Sequence, residues 1–327
     1  MEEFNILFTS AGRRVSLIQH FRQALYSLQV PGRIITADKQ KNAPAFLLGD
    51  IRKLVPSVTD LNYLEELMGI CRDYGVRLLI PLIDTELNLL ATYQEDFAAM
   101  GVTVLVSSPE ANRICFDKRN TYQFFKSIGM GTAAIYDPEA LLRDSETKYP
   151  LFLKPADGSC SIGATKINNA RELEFFKNYI PNCIVQEYLS GNEFTLDVLA
   201  DFQGRVRTVV PRLRLETRAG EISKGITVKD AAIIAAGKEV VDSLPGAVGC
   251  ITVQCFKTPD GDIKFTEINP RFGGGIPLSI KAGADFPRWI IEMLRGNDPQ
   301  IGLDDWQEDL VMLRYDDELF VTKDEIL

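Results

Sequence analysis

Across residues 1–112 short apolar runs alternate with amphipathic stretches, and this alternation restricts the fold more than any other feature of the chain. Phe4–Thr9, Arg33–Ala37, Arg77–Pro81 and Val102–Val106 read as strands, and Arg14–Leu28, Leu61–Tyr74 and Glu86–Met100 as helices with apolar residues three or four apart. Strands that are apolar along their whole length need cover on both faces, and helices between them supply it. The expectation is a parallel, doubly wound α/β sheet. The first strand runs into Thr9-Ser10-Ala11-Gly12-Arg13-Arg14 and the second reaches Asp38, a superficial likeness to a dinucleotide fold. Gly12 is the only glycine of that loop, so the three-glycine pyrophosphate fingerprint is absent. Two readings stay open for the loop. It holds a substrate anion at the helix N-terminus with Arg13 or Arg14, or it is a strand–helix turn with two solvated arginines.

Composition removes several function classes. A chain of 327 residues, 46% apolar, can bury a sizeable core and has room for two or three structural units. A net charge of −9 argues against a nucleic-acid partner, which calls for a broad basic face. No apolar run approaches membrane-spanning length, and Met1-Glu-Glu-Phe-Asn lacks the basic flank of a signal peptide, so no membrane partner is expected. The cysteines at 71, 115, 160, 183, 250 and 255 show no paired spacing and read as reduced thiols of a cytoplasmic protein. His20, the single histidine, falls within a helical pattern. That excludes Ser-His-Asp hydrolysis and multi-histidine zinc sites, and leaves chemistry run by lysine, arginine, carboxylates and a hard cation.

The segment Gly249–Arg271 carries the densest chemistry. Two strands flank Asp260-Gly261, a pair suited to a two-residue type I′ turn. Counting outward from that turn places Gln254 opposite Glu267, and the two-residue side-chain period puts Asn269 on the same face as Glu267. Oxygen ligands without thiolate or imidazole suit Mg²⁺ or Mn²⁺, completed by water and nucleotide phosphate. The other reading is the polar, solvent-facing side of an ordinary hairpin.

Three further segments are suggestive. Asp117-Lys118 opens a helix over Asn120–Ile128 that closes at Gly129, and a strand ending at Lys154-Pro155 meets the small-residue loop Gly158-Ser159-Cys160-Ser161-Ile162-Gly163. Exposed amides with a lysine at the strand end can cradle phosphate without a Walker motif, though a plain hairpin loop has the same composition. Between residues 205 and 229 stand Arg205, Arg207, Arg212, Arg214, Arg218, Lys224 and Lys229. Alternation puts Arg212 and Arg214 on one strand face, where they bind an anion or form a solvated surface.

Taken in order, Asp117-Lys118, Leu153-Lys154-Pro155 with its glycine loop, Gln186-Glu187-Tyr188-Leu189-x-Gly191-x-Glu193, Gln254 and Glu267-x-Asn269-Pro270-Arg271 resemble the ATP-grasp superfamily. The likeness is strongest to a single unit of the carbamoyl phosphate synthetase large subunit. It implies a Rossmann-like pre-ATP-grasp domain over 1–112, a small subdomain with the glycine-rich loop over 113–185 and a C-terminal, α+β subdomain with the metal site over 186–327. It also implies ATP as cofactor with Mg²⁺ or Mn²⁺. Lys118, Lys154, Gly158, Ser159, Ser161 and Gly163 then match the phosphate positions, Glu187, Tyr188 and Leu189 the adenine hinge, and Glu193 the ribose acid. Gln254, Glu267 and Asn269 match the metal ligands. Arg271 matches the arginine on the reacting phosphoryl oxygens, and Lys224 stands beside it as the second catalytic candidate.

The implied reaction is ligation: a small carboxylate is activated as an acyl phosphate and an amine displaces the phosphate. The alternatives are a non-catalytic ATP-binding partner or one half of a split synthetase, and a homodimer is compatible with each. Pro270-Arg271-Phe272-Gly273-Gly274-Gly275 departs from the synthetase pattern, which disfavours bicarbonate and favours another small carboxylate. Its three glycines imply close backbone approach by a ligand, or a mobile loop.

Overall fold

The computed structural model describes residues 3–158, 162–218 and 220–326. Strands β1 (Asn5–Thr9), β2 (Ile34–Asp38), β3 (Ile51–Leu54), β4 (Val76–Pro81) and β5 (Thr103–Val104) pair in parallel in the order β3-β2-β1-β4-β5. The helices of this part are α1 (Val15–Ser27), α2 (Tyr63–Asp73), α3 (Asp84–Thr92), α4 (Gln94–Ala99), α5 (Pro109–Phe116) and α6 (Lys118–Ser127). The doubly wound sheet is therefore as expected, with two local differences. β3 is an edge strand, Ile-Arg-Lys-Leu, whose short, half-charged pattern carries little apolar signal. The helix expected over 86–100 starts two residues earlier and breaks at Tyr93, where Glu95 and Asp96 favour a fresh helix N-terminus.

Alternation along β1 divides the packing. Leu7 joins the core of the first sheet with Leu67 and Leu79, while Ile6 and Phe8 face a larger core shared with the C-terminal sheet. Phe8, Phe21 of α1 and Phe272 stack edge to face at 5.2 and 5.7 Å, so apolar contact ties the first sheet to the loop after Arg271.

Strands β6 (Ile135–Tyr136), β7 (Leu151–Pro155), β8 (Thr165–Ile167) and β9 (Cys183–Glu187) form an antiparallel sheet in the order β6-β9-β7-β8. The third sheet comprises β10 (Asn192–Ala200), β11 (Val206–Arg218), β12 (Glu221–Thr227), β13 (Gly249–Lys257), β14 (Ile263–Asn269) and β15 (Val311–Leu313), all antiparallel, in the order β14-β13-β10-β11-β12-β15. Only Tyr188–Gly191 separate β9 from β10, so this short stretch joins the second sheet to the third.

The hairpin corrects one expectation and keeps its consequence. Positive φ is found at Gly261 (+91°) but not at Asp260, so the turn is not type I′. The Gly261 amide donates to the Thr258 carbonyl around Pro259-Asp260, and the Thr258 amide donates to Asp262, giving a three-residue loop. That loop shifts the register by one residue near the turn, and an irregularity between Gln254 and Cys255 shifts it back. Gln254 still pairs with Glu267.

Candidate active site

A cleft of about 570 Å³ opens between the second and third sheets. Of the residues expected in a site, it brings together Lys118, Lys154, Gly158, Glu187, Tyr188, Leu189, Glu193, Gln254, Glu267, Asn269 and Arg271. Gly163, at φ +75°, packs against Pro155 and is not part of the lining. Ser159 and Ser161 lie outside the described residues.

The second sheet supplies the cations. Lys154 on β7 is 9% exposed and, among the described residues, makes no hydrogen bond or ion pair through its ammonium. Burial pushes its pKa down to about 8, opposed by the negative charge of Glu267. Lys118, first residue of α6, donates to the Gly158 carbonyl at 2.9 Å and so ties the glycine loop to the helix start. Asp117 caps that helix through the Arg119 amide, and the Arg119 guanidinium holds its pKa below the usual carboxylate range. Neither lysine has a carboxylate partner among the described residues. Both line the cleft.

At the hinge, Glu187 receives Lys264 at 2.5 Å, while its backbone amide donates to Ala134. Its side chain is thus committed within the protein. Tyr188 lies under the Lys166 ammonium at 4.5 Å from its ring centre. Leu189 is buried, and among the described residues neither its N–H nor its C=O has a backbone partner. Glu193, at the start of β10, pairs with Arg214; burial pushes its pKa up and the arginine offsets part of that rise.

The third sheet supplies arginines, each already matched to an acid. Arg271 binds Asp84 with two of its three guanidinium nitrogens, Nε to Oδ1 at 2.8 Å and Nη2 to Oδ2 at 2.6 Å. Arg212 does the same with Asp197 at 2.7 and 2.9 Å, and Ser279 donates to the same carboxylate at 2.6 Å. Arg14 meets Glu221 at 3.2 Å. These arginines explain two of the three glycines, and Thr252 lies against the other, 3.0 Å from where a Cβ on Gly273 would stand. A Cβ on Gly274 would stand 2.5 Å from Arg14 Nη1, and one on Gly275 only 2.1 Å from Arg212 Nη1. Close backbone approach was expected there, and the approaching groups are the protein's own guanidinium side chains.

The basic segment divides unequally. Arg212 and Arg214 share the cleft-facing side of β11, as alternation implied. Arg205 and Arg207 bind Asp201, Arg218 binds Asp316, and Lys229 lies over Trp306. Lys224 points away as well: it is exposed on β12 and pairs with Glu216 at 2.6 Å, outside the cleft. Residue alternation alone did not say which face of β12 looks inward, and an irregular register between Arg214 and Thr217 obscures it further.

Gln254, Glu267 and Asn269 offer one carboxylate and two amide oxygens on neighbouring positions of β13 and β14. No group of three or more His, Cys, Asp or Glu that could hold a metal occurs among the described residues. One negative charge does not neutralise a divalent cation. The donor set fits Mg²⁺ whose remaining positions are taken by water and phosphate oxygens.

Asp84 and Glu221 reach the site from distant segments and were not singled out from sequence; Arg14, one of the two loop arginines weighed as an anion ligand, lines the cleft and pairs with Glu221. Asp84 opens α3 just beyond the C-terminal end of β4, the edge at which open parallel sheets place ligands, and that rule could have marked it. At the same edge the fully buried Glu86 accepts from Tyr63 at 2.6 Å and from the Leu82 amide at 3.0 Å, and burial pushes its pKa up. Asp38, the dinucleotide-like acid, instead accepts from the Gly12 amide at 2.9 Å and holds the β1–α1 loop. His20 sits half-buried on α1, away from the cleft; burial and then Lys281 lower its pKa. The described cysteines are free thiols, and no described helix is long and apolar enough to cross a membrane.

Comparison with known proteins agrees with this architecture. The PylC-like N-terminal domain family matches residues 6–105, the family described as ATP-grasp in the biosynthetic pathway with Ter operon matches 179–316, and the D-ala D-ala ligase C-terminus matches 136–218. The vancomycin/teicoplanin A-type resistance protein VanA of Enterococcus faecium is 27% identical over 53% of this chain and 57% of its own length. The 3-methyl-D-ornithine--L-lysine ligase of Methanosarcina acetivorans is 24% identical over 80% of this chain and 67% of its own. The chain thus spans little more than half of the first of these relatives and about two thirds of the second. Among solved structures, an ADP complex of purK, N5-carboxyaminoimidazole ribonucleotide synthetase, superposes with a TM-score of 0.73 at 18% identity, covering 96% of this chain and 82% of the other. The biotin carboxylase domain of Hydrogenobacter thermophilus 2-oxoglutarate carboxylase, solved with MgADP and bicarbonate, gives 0.74 at 18% identity over 95% and 74%. The fold is ATP-grasp, as the order of motifs implied.

Proposed function

We propose that this ATP-grasp protein is an ATP- and Mg²⁺-dependent ligase that activates a small carboxylate as an acyl phosphate and joins it to an amine. The observation that carries the reading is the contrast inside one cleft between two lysines without carboxylate partners and a metal-ligand set short of negative charge. Both are made good by the same ligand, a nucleotide polyphosphate with its cation. The name of one relative, 3-methyl-D-ornithine--L-lysine ligase, supports the carboxylate and amine classes.

In this reading the backbone of Leu189 receives the adenine edge, and Glu193, held by Arg214, accepts from the ribose hydroxyls. Lys118 and Lys154 bind the phosphates as point charges. Gln254, Glu267 and Asn269 would hold Mg²⁺, which neutralises the phosphate oxygens when bound. Arg271, oriented by Asp84, faces the transferred phosphoryl group, where electrostatic stabilisation is most of the catalytic work. The glycine loop from Gly158 shields the acyl phosphate from water.

The test is ADP release in Mg²⁺-ATP against pooled small carboxylates and amines. Release that requires both a carboxylate and an amine is the expected result. ATP binding without ADP release in any pool would favour a nucleotide-binding partner.

A further inference from the structure

A second cavity, of about 440 Å³, lies between α3 and α5 on the far side of the metal-ligand wall. Lys118, Asp157, Gly158, Glu267 and Asn269 border both this cavity and the nucleotide cleft. The two chambers therefore meet where the activated carboxylate would form. The cleft accounts for the nucleotide, and the function of the second chamber is unassigned.

Its polar lining consists mainly of acceptors. On α5, Asn112, Cys115 and Phe116 share one face by helical spacing and line the chamber. Asn112 is 3% exposed, and its Nδ2 donates to the carbonyls of Ser107 at 2.8 Å and Ser108 at 3.1 Å. Two carbonyls can only accept, so the amide orientation is forced and Oδ1 must face elsewhere. That oxygen is buried and has no donor. Buried acceptors without donors are few in folded proteins, and a ligand or water commonly completes them.

The charges around the chamber point the same way. Asp84, Asp157 and Glu267 stand against the single ammonium of Lys118. Asp84 is engaged by Arg271, yet each of its oxygens has further capacity to accept. Asp84 and Glu267 also raise the pKa of the Cys115 thiol, behind the larger effect of its burial. Asn88 and Thr85 add uncharged polar groups from the exposed side of α3. Among the described lining residues only Lys118 offers a positive charge to an anionic occupant. A group rich in donors would satisfy the carboxylates.

We infer that this chamber binds the amine co-substrate as a primary ammonium ion, with Asn112 Oδ1 and Asp84 accepting from it and the shared Glu267–Asn269 wall opening toward the acyl group. The assignment of the amine as co-substrate rests on the ligase reading; the ammonium specificity of the chamber rests on its own lining.

The experiment is calorimetric titration, in saturating MgADP, with n-butylamine, ethanolamine and cadaverine, set against n-butanol and butyrate as uncharged and anionic counterparts. At least one amine is expected to saturate a single site at which n-butanol and butyrate do not bind. Asn88→Phe, a change at an exposed helix position that fills the chamber, is expected to weaken that amine at least tenfold while MgADP affinity stays within twofold. Asn112→Leu, checked for retained fold by circular dichroism, is expected to weaken it in the same direction. Amines that bind no better than n-butanol, or that bind Asn88→Phe as tightly as the parent protein, would overturn the proposal. No turnover is required. A protein that binds amines but releases no ADP in the pooled screen would count against the ligase reading and leave the chamber's ammonium specificity standing.

Discussion

The two walls of the cleft treat positive charge in opposite ways. On the third sheet, Arg212, Arg214 and Arg271 each face a carboxylate, from Asp197, Glu193 and Asp84 respectively. On the second sheet and its flanking helix, Lys154 and Lys118 have no such partner among the described residues. Paired arginines are already oriented in the protein alone, because a bidentate carboxylate fixes the plane of the guanidinium. A lysine kept apart from acids in a half-dry cleft stores unfavourable desolvation that an incoming phosphate relieves. The third-sheet wall is thus built for stability and aim. In the proposed reading the second-sheet wall binds the phosphates.

Removing Asp197 should break this comparison most visibly. Asp197→Ala leaves the 1%-exposed Arg212 without its counter-charge, and a broken buried pair typically costs about 3–5 kcal/mol. Denaturant unfolding should show that loss, and a change below about 1 kcal/mol would mean that the pair is not a structural element. Lys154→Met should do the reverse. Losing a charge-assisted contact of roughly 1.5–3 kcal/mol should weaken MgATP about tenfold to a hundredfold, with no loss of unfolding stability. Should MgATP bind Lys154→Met as tightly as the parent, the lysine does not face phosphate.

Glu267→Gln would remove the one charged member of the proposed metal-ligand set, Gln254, Glu267 and Asn269, and keep its shape. Mg²⁺-dependent ATP turnover is expected to fall at least tenfold with the fold intact. Equal turnover at saturating ATP and limiting Mg²⁺ would remove the hairpin from the metal site.

Lys154 also gives the comparison a pH signature. Its folded pKa, about 8, lies below the ordinary 10.5, so between those values the unfolded chain binds more protons than the fold. Stability should therefore rise with pH across that window, by up to about 3 kcal/mol, and MgATP affinity should decline as pH passes upward through about 8. Both trends should vanish in Lys154→Met, and their persistence there would assign them to another group. The smallest effect is expected at Lys224, which forms an exposed pair with Glu216. Lys224→Ala should change stability by less than about 1 kcal/mol and turnover by less than twofold. A tenfold loss of turnover would return Lys224 to the site.

Legibility followed the range of the interactions. The parallel sheet was readable because its central strands are apolar on both faces, Leu7, Ile35 and Leu79 on one and Ile6, Ile34 and Leu78 on the other, and each face must be covered, whichever partners cover it. The facing of Gln254 and Glu267 was readable because a hairpin is local, even though the turn is of a different type and a compensating irregularity restores the register. The arginine-rich segment was only half readable. Alternation placed Arg212 and Arg214 together, but it could not show that Arg205, Arg207 and Arg218 bind nearby acids instead.

Periodicity, turn chemistry and spacing act within short stretches of chain, so the parallel sheet without its edge strand β3, the order of the motifs and the residue types of the cleft were legible in the sequence. Tertiary structure alone decided which charges are paired. Asp84 and Arg271 are 187 residues apart, Asp197 and Ser279 are 82 apart, and Arg14 meets Glu221 across most of the chain. The second chamber was decided in the same way, because Asn112 and Glu267 border one space only after the first and third sheets pack together. Electrostatic contacts of a few ångströms leave no periodic trace in the sequence, and only the packed core fixes them.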